Sequence, residues 1–436
     1  MSWINKILKG DRVIWVVMFT LGIISLIAVY SATSSEAHAR IGAYNEQVLI
    51  KHAATLLAGF IMMFIASRIN YRRYSRAIEL VLLLCSILLV FTLFFGNRAN
   101  SATRTIMGFQ PSEIAKIVLI TYLAKYIVIW NEKEYTFRDL IVPIFLPIII
   151  IVAPIFPENL STAAMLFTVC LVMLFIGQIK FKYIMALIGI VIFGAALYIL
   201  VDSVRADYSQ RRKARYERLA IEHPENEEYA KLASEKPRTS RVQTWKSRLE
   251  AKFSGKEEKT EENGKRAKLI DDSESQKIYA KIAVAEGGLF GKGSGKSTQR
   301  NFLPKPFNDC IYAIIVEEYG LIGGIFVMLL YIILLTRSTR IMKKKPLSFG
   351  ALLSFGIAFI LIMQAMINMG VSTGLLPVTG QQLPFISKGG SSMLMTGFAV
   401  GMILSVTRNL EKTEDRRQET EDTTEPLTIE QLTTEP

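Results

Sequence analysis

The sequence predicts an all-α, polytopic membrane protein with about ten transmembrane helices and a long extracytoplasmic loop between the seventh and eighth. Three observations carry that prediction. Apolar runs long enough to cross a hydrocarbon core, about 20 helical residues each, recur along the chain. Lysine and arginine gather in alternate short connections. A long segment dense in Lys, Arg and Glu then separates two apolar blocks.

In order, the apolar runs fall at 13–33, 48–67, 77–95, 114–130, 140–156, 160–177, 183–201, 311–335, 348–370 and 384–406. An even number places both termini on one side. Lys6, Lys9 and Arg12 precede the first run, and Arg68, Arg72, Arg73 and Arg76 fill the second connection. Lys180 and Lys182 occupy the sixth, and Arg337, Arg340 and Lys343 to Lys345 the eighth. Basic short loops mark the cytoplasmic face, so both termini should be cytoplasmic. The first run is long and lacks a small-residue cleavage pattern, so it reads as a retained span.

The chain divides into a membrane block at 1–201, an outer loop at 202–308 with a basic insertion at 206–265, a second block at 309–407 and a tail at 408–436. The tail, rich in Glu and Thr and poor in large apolar residues, is expected to be disordered. A formal charge of +13 over 436 residues is thus topology plus one outer loop, not a nucleic-acid footprint. Cys85, Cys170 and Cys310, and His38, His52 and His223, have no metal-site spacing, and no disulfide framework is implied.

Three constellations bear chemistry. A glycine-rich line at 287–293 is followed by Asn-Phe-Leu-Pro at 301–304 and then by Asp309 at the edge of an apolar run. Gly295-Lys296-Ser297 suggests a phosphate loop, but the glycine required five positions earlier is Phe290. Asp309 has two readings: an acid in the first turn of a helix capped by Asn308, favoured by the helix dipole, or a functional acid at a membrane edge. Ala313 and Glu317 follow it at i+4 and i+8, with Glu318 adjacent. Carboxylates within a span face a protein interior or a watery cavity, so Glu317 is either a structural partner for a cation or a site residue. Gly320 and Gly324 form a small-xxx-small pair suited to close helix packing.

The second constellation is Arg104 with Gln110-Pro111-Ser112-Glu113 and Lys116. It reads as a helix start with one i,i+3 salt pair, or as an outer cavity for an anionic head group lined by Arg104 and Lys116. The third spans 374–392, where dense Gly and Pro break the helix. Irregular backbone at that depth must be buried in protein or line a cavity.

Together these lines resemble the SEDS family of cell-wall polymerases, which includes the FtsW, RodA and SpoVE branches. The resemblance rests on Gly-Leu-Phe-Gly-Lys-Gly at 288–293, Leu303-Pro304 with Asp309-Cys310-Ile311-Tyr312, and Glu317-Glu318-Tyr319-Gly320. Gln110-Pro111-Ser112-Glu113 with Lys116, and Leu383-Pro384-Phe385-Ile386-Ser387 with Gly389-Gly390-Ser391-Ser392, complete it. Thr105, Lys305 and Lys388 stand where the family carries Trp, Glu and Tyr. Gly10-Asp11-Arg12-Val13-Ile14-Trp15 and Ser31-Ala32-Thr33-Ser34 look more like the division branch than the elongation branch.

The resemblance implies a peptidoglycan glycosyltransferase of the bacterial inner membrane, working at the division septum on lipid II. It implies Asp309 as general base and Arg104, Glu113, Lys116, Glu317, Ser391 and Ser392 as substrate contacts. Partners would be a class B penicillin-binding protein transpeptidase (FtsI-like) and other divisome membrane proteins, with no nucleic acid. The sequence specifies no cofactor; a divalent metal, magnesium or manganese, is the one candidate. Two rival readings are a lipid II flippase and a non-catalytic divisome scaffold.

Overall fold

A computed structural model describes residues 9–33, 42–95, 97–99, 102–105, 110–222, 229, 231, 272–303 and 308–423. The chain begins with α1 (Arg12–Thr33), α2 (Gly42–Arg68) and α3 (Tyr71–Phe95). A short antiparallel hairpin follows, β1 (Asn97–Ala99) with β2 (Ala102–Thr105). Next come α4 (Pro111–Asn131), α5 (Phe137–Glu158), α6 (Leu160–Ile176) and α7 (Phe181–Glu222). The loop helix α8 (Asp272–Gly287) leads to α9 (Ile311–Lys344), α10 (Phe349–Ser372) and α11 (Gly390–Thr423).

Eight of these helices are long and apolar enough to cross a membrane. Two more occupy predicted runs: α4, which carries Glu113, Lys116 and Lys125, and α6, which has 17 residues. Helix starts follow local chemistry. Pro111 opens α4, and the Asn159 and Ser348 side chains accept backbone N–H bonds from Thr162 and Ala351. Within α5 the ladder widens to a π-turn at Ile141–Phe145, around Pro143, which lacks the N–H that an α-turn needs.

Among the eight, α10 is the most enclosed, with 72% of its apolar stretch buried against 11% for α7. It packs on α4, α6, α9 and α11 and forms the axis of the bundle. Large apolar side chains left exposed, such as Leu83 and Ile87 on α3 and Ile192 and Phe193 on α7, fit a surface facing lipid. Among the described residues the most extensive helix pair is α2 with α11. A Cβ on Gly397 would lie 2.2 Å from the Gly59 carbonyl oxygen, and one on Gly401 would lie 2.5 Å from that of Met63. Small residues let these backbones touch, which is how helices associate where apolar burial gives no drive.

Several boundaries differ from the sequence reading. At about 1.5 Å per residue, the 42 residues of α7 span about 63 Å, twice a hydrocarbon core. The first part of the basic insertion, through Glu222, therefore continues the helix; most of the remainder lies outside the described residues. The last span begins at Gly390, not 384, because the preceding turn holds Phe385 at φ 62° and bonds Ser387 N to Leu383 O. It runs on to Thr423, so the first part of the expected disordered tail is helical, and 424–436 lie outside the described residues. Gly320 does not serve packing as expected: it breaks α9 at φ 70°, a conformation open to glycine.

Replacing Gly397 by Ala forces α2 and α11 apart and should destabilise the bundle by roughly 1–3 kcal/mol. Thermal unfolding in detergent would show this as a lowered midpoint. Gly189→Ala, where nothing lies within 4 Å of the new carbon, should leave the midpoint unchanged or raise it.

Candidate functional site

The glycine line folds back onto the break in α9. Lys292 N and Gly293 N donate to the Glu317 and Glu318 carbonyls at 2.9 Å each, and Leu321 N donates to Gly288 O at 2.9 Å. Two glycines make this approach possible. A Cβ on Gly291 (φ 80°) would lie 2.2 Å from Glu318 O, and one on Gly320 would lie 2.2 Å from Leu289 O. The loop is thus seated as an added rung on an opened helix.

Glu317 holds it there. This carboxylate is fully buried. Its Oε1 accepts from Lys292 Nζ at 2.8 Å, Thr298 N at 2.9 Å and Thr298 Oγ1 at 3.0 Å, and its Oε2 accepts from Ser297 Oγ. Glu318 accepts from Ser31 Oγ on α1 and from Ser297 N at 3.3 Å. Arg300 Nη1 donates to Ser31 O at 3.0 Å, closing the seam between loop and first span. The protein's own loop donors, Lys292, Ser297 and Thr298, thus occupy both oxygens of Glu317, which was expected to contact substrate. Burial works against the Lys292 ammonium, but Glu286 and Glu317 outweigh it and hold its proton more tightly than in an ordinary lysine. The Lys292 and Gln299 hydrogen bonds in turn keep the Glu286 carboxyl below its ordinary 4.5.

Asp309 lies half-buried in the turn Asn308 to Cys310, before α9 begins. Cys310, not Asn308, occupies the N-cap position, so Asp309 is not a first-turn acid and shares no helical face with Glu317. Both carbonyls of the turn are held by distant side chains. Ser387 Oγ donates to Asn308 O at 2.7 Å, and Asn368 Nδ2 donates to Asp309 O at 2.9 Å. Gln276 Nε2 of α8 donates to Cys310 Sγ at 3.1 Å. Burial pushes the Cys310 thiol up to about 12, which disfavours its thiolate.

Asn368 also donates to Gln381 O at 2.7 Å, and Gln381 Nε2 reaches Thr162 Oγ1 at 2.7 Å. One turn earlier on the same face of α10, Gln364 donates to Gln382 O at 3.0 Å and accepts from Lys116 Nζ at 3.0 Å. Lys116 pairs with Glu113 at 2.8 Å, both nearly buried. Ser392, in the first turn of α11, reaches Glu113 at a long 3.5 Å, and Ser391 is half-buried beside it. The second and third constellations therefore meet, joined to the Asp309 turn through α10. Arg104 lies on β2, with its side chain outside the described residues.

Sequence reading missed Gln364, Asn368, Gln381 and the loop donors Lys292, Ser297 and Thr298. The available signal was Gln364 and Asn368 four apart inside an apolar run, where polar side chains need partners. Among the described residues no three His, Cys, Asp or Glu side chains converge in a way that could hold a metal ion.

Removing the Glu317 carboxylate, as in Glu317→Ala, strands a cation and several donors and should weaken loop closure by about 3 kcal/mol. Hydrogen exchange in 288–299 should then rise by roughly a hundredfold while α10 stays protected; unchanged exchange would remove the anchoring role. Closure also has a pH window. The Glu286 contribution is full above 4.5 and lost as pH falls through its depressed value, and that of Lys292 is full below 10.5 and lost as pH rises through its raised value. Protection of 288–299, corrected for intrinsic exchange, should be flat near neutrality and fall on acidification below 4.5.

Residues 11–412 match the profile of the FtsW/RodA/SpoVE family, described as cell cycle proteins. A probable peptidoglycan glycosyltransferase FtsW from Geobacter metallireducens is 31% identical, covering 94% of this chain and 98% of its own. Stage V sporulation protein E of Bacillus subtilis is also 31% identical, over 93% of this chain and 98% of its own. Among solved structures, a chain of a peptidoglycan synthase complex that coordinates polymerization and crosslinking superposes with a TM-score of 0.62 at 20% identity, covering 92% of this chain and 98% of that one. The rod-shape-determining protein RodA of Thermus thermophilus superposes with a TM-score of 0.59 at 20% identity, covering 92% and 97%. The fold is shared with these structures, and the chain belongs to the FtsW/RodA/SpoVE family.

Proposed function

We propose that this protein is a peptidoglycan glycosyltransferase that polymerises lipid II during cell division, with Asp309 as its general base. The observation that carries the proposal is the way the Asp309 turn is held. Ser387 and Asn368, from two other segments, fix its two carbonyls at the junction of the outer loop and the bundle. Such support is what a positioned acid–base group requires, because misplacement of an ångström costs rate heavily.

Those positions support one reaction. Asp309 accepts the proton of the acceptor sugar 4-hydroxyl as its oxygen attacks the donor anomeric carbon. The bond from that carbon to the pyrophosphate oxygen breaks, and the undecaprenyl pyrophosphate departs carrying its negative charge. Lys116 is already compensated by Glu113, so it serves better as an orienting group than as a free cation. Arg104 and the exposed loop lysine Lys296 are the better candidates for stabilising the leaving group. Glu317 acts at one remove, by keeping the loop closed.

Orientation, location and partner belong to the same reading. On this reading both termini are cytoplasmic and Asp309 lies at the outer face of the inner membrane, at the septum; the basic short connections support that orientation. A class B penicillin-binding protein of the FtsI type is the expected transpeptidase partner. The synthase complex with the same fold, in which polymerization and crosslinking are coordinated, supports that expectation.

Purified protein incubated with labelled lipid II and such a partner should yield glycan ladders. Transfer between leaflets without ladders would instead indicate a flippase, and neither activity a scaffold. Asp309→Asn should reduce ladders by about 10²–10⁴-fold with the fold intact; full activity would exclude Asp309 as the base. The double replacement Glu113→Gln with Lys116→Met removes a buried pair at near-constant shape. It should leave thermal stability within about 1–2 kcal/mol yet lower polymerisation by about tenfold or more through loss of the charged network. Undiminished activity would make the pair purely structural.

A further inference from the structure

At the opposite end of the bundle from Asp309, on the face that the basic connections mark as cytoplasmic, lies a cavity of about 610 Å³. Its size is in the range of small-ligand sites. Among the described residues, Arg12 at the start of α1 and Arg337, Arg340 and Lys344 on α9 line it together with one carboxylate, Asp11. The three α9 cations sit at i, i+3 and i+7 and so occupy one face of that helix. Asp11 bonds Arg337 Nε at 2.7 Å, so among the described lining residues Arg12 and Arg340 add positive charge beyond that pair.

The walls are set firmly. Asp11 N donates to Thr407 Oγ1 at 3.1 Å, and a Cβ on Gly10 (φ 92°) would lie 2.7 Å from Leu404 O. The chain end of α1 is therefore clamped against α11, and the cavity is a standing feature of the bundle. The α1 amides do not make the site, since Val13 N is already bonded to Asp11 Oδ1 at 2.8 Å. The reaction proposed above makes no use of any of these groups.

Two features select among anions. The lining also includes Val13, Ile341 and Leu410, so the cations stand beside apolar surface. On α9, Ile333 and Leu329 lie four and eight residues before Arg337 and are exposed, at 36% and 45%. A lipid-facing apolar strip thus runs along one helix face into the cationic cavity. Free phosphate has no use for that strip; an acyl chain does. We propose that this cavity binds the phosphodiester head group of an anionic phospholipid of the cytoplasmic leaflet, with an acyl chain along Ile333 and Leu329. Basic pockets between spans at that face are suited to such head groups, each Lys or Arg adding to the attraction.

The test uses the full chain in detergent, with native mass spectrometry reading retained dioleoyl phosphatidylglycerol against dioleoyl phosphatidylcholine. Wild type should retain the anionic lipid at least about tenfold better. Arg340→Gln with Lys344→Gln, which leaves the Arg337–Asp11 pair in place, should abolish most of that preference. Both side chains are exposed, so folding should survive, and a thermal midpoint confirms it. Lys343→Gln with Lys345→Gln changes net charge equally at residues that do not line the cavity, and should keep the preference. Equal retention of the two lipids, or equal loss in both double variants, would overturn the proposal. So would displacement of the lipid by millimolar inorganic phosphate, which would mark a free-anion site. None of these outcomes depends on whether the protein polymerises glycan.

Discussion

The loop-bearing end of this molecule is organised around the buried carboxylate of Glu317. A charged group inside a span is tolerable only if paired and fully hydrogen-bonded, because an unpaired one forfeits several kcal/mol. Glu317 meets that condition with donors drawn from 292–298. The requirement runs in both directions. The loop must close to satisfy the carboxylate, and α9 must open at Gly320 so that its carbonyls can receive the loop backbone. Glycine at 291 and 320 follows from the same geometry, since any side chain there would collide with the facing chain.

Closure has a consequence for the acid farther along. The loop's N-terminal helix, α8, reaches the Asp309 turn through Gln276, and the loop's C-terminal part is pinned to α1 through Arg300 and Ser31. Asp309 therefore depends on two supports: a sealed loop above it and the α10 amides beneath it. Asn368 and Gln364 hold irregular backbone that would otherwise present unpaired carbonyls at membrane depth. The same side chains link the Asp309 turn to the Glu113–Lys116 pair, so positioning and charge arrangement are one structure.

Much of this was legible in the sequence, for reasons particular to a membrane protein. Span positions follow from hydropathy because the bilayer forces every backbone group into a helix, and α1 to α7 and α9 to α11 fall on the predicted runs. The i,i+3 pair of Glu113 and Lys116 was readable because both lie on one helix. Helix periodicity misled where the helix was interrupted or had not begun. Gly320 looked like a packing glycine, and Asp309, Ala313 and Glu317 looked coaxial. Long-range partners were hidden: Ser31 with Glu318, 287 residues apart, and Asn368 with Asp309, 59 apart, leave no local spacing to read. The close contact of Gly59 with Gly397 was hidden for the same reason.

Catalysis by a positioned acid makes a geometric demand that an inactive complex can record. The most direct measurement is a structure of the Asp309→Asn protein with a lipid II acceptor bound. With Asp309 as the base, the substituted side chain at position 309 should lie within hydrogen-bond reach of the acceptor 4-hydroxyl, about 2.6–3.2 Å or through one water, with the 288–299 loop still closed on Glu317. An acceptor bound with its 4-hydroxyl directed away from position 309 and toward another titratable side chain would contradict it.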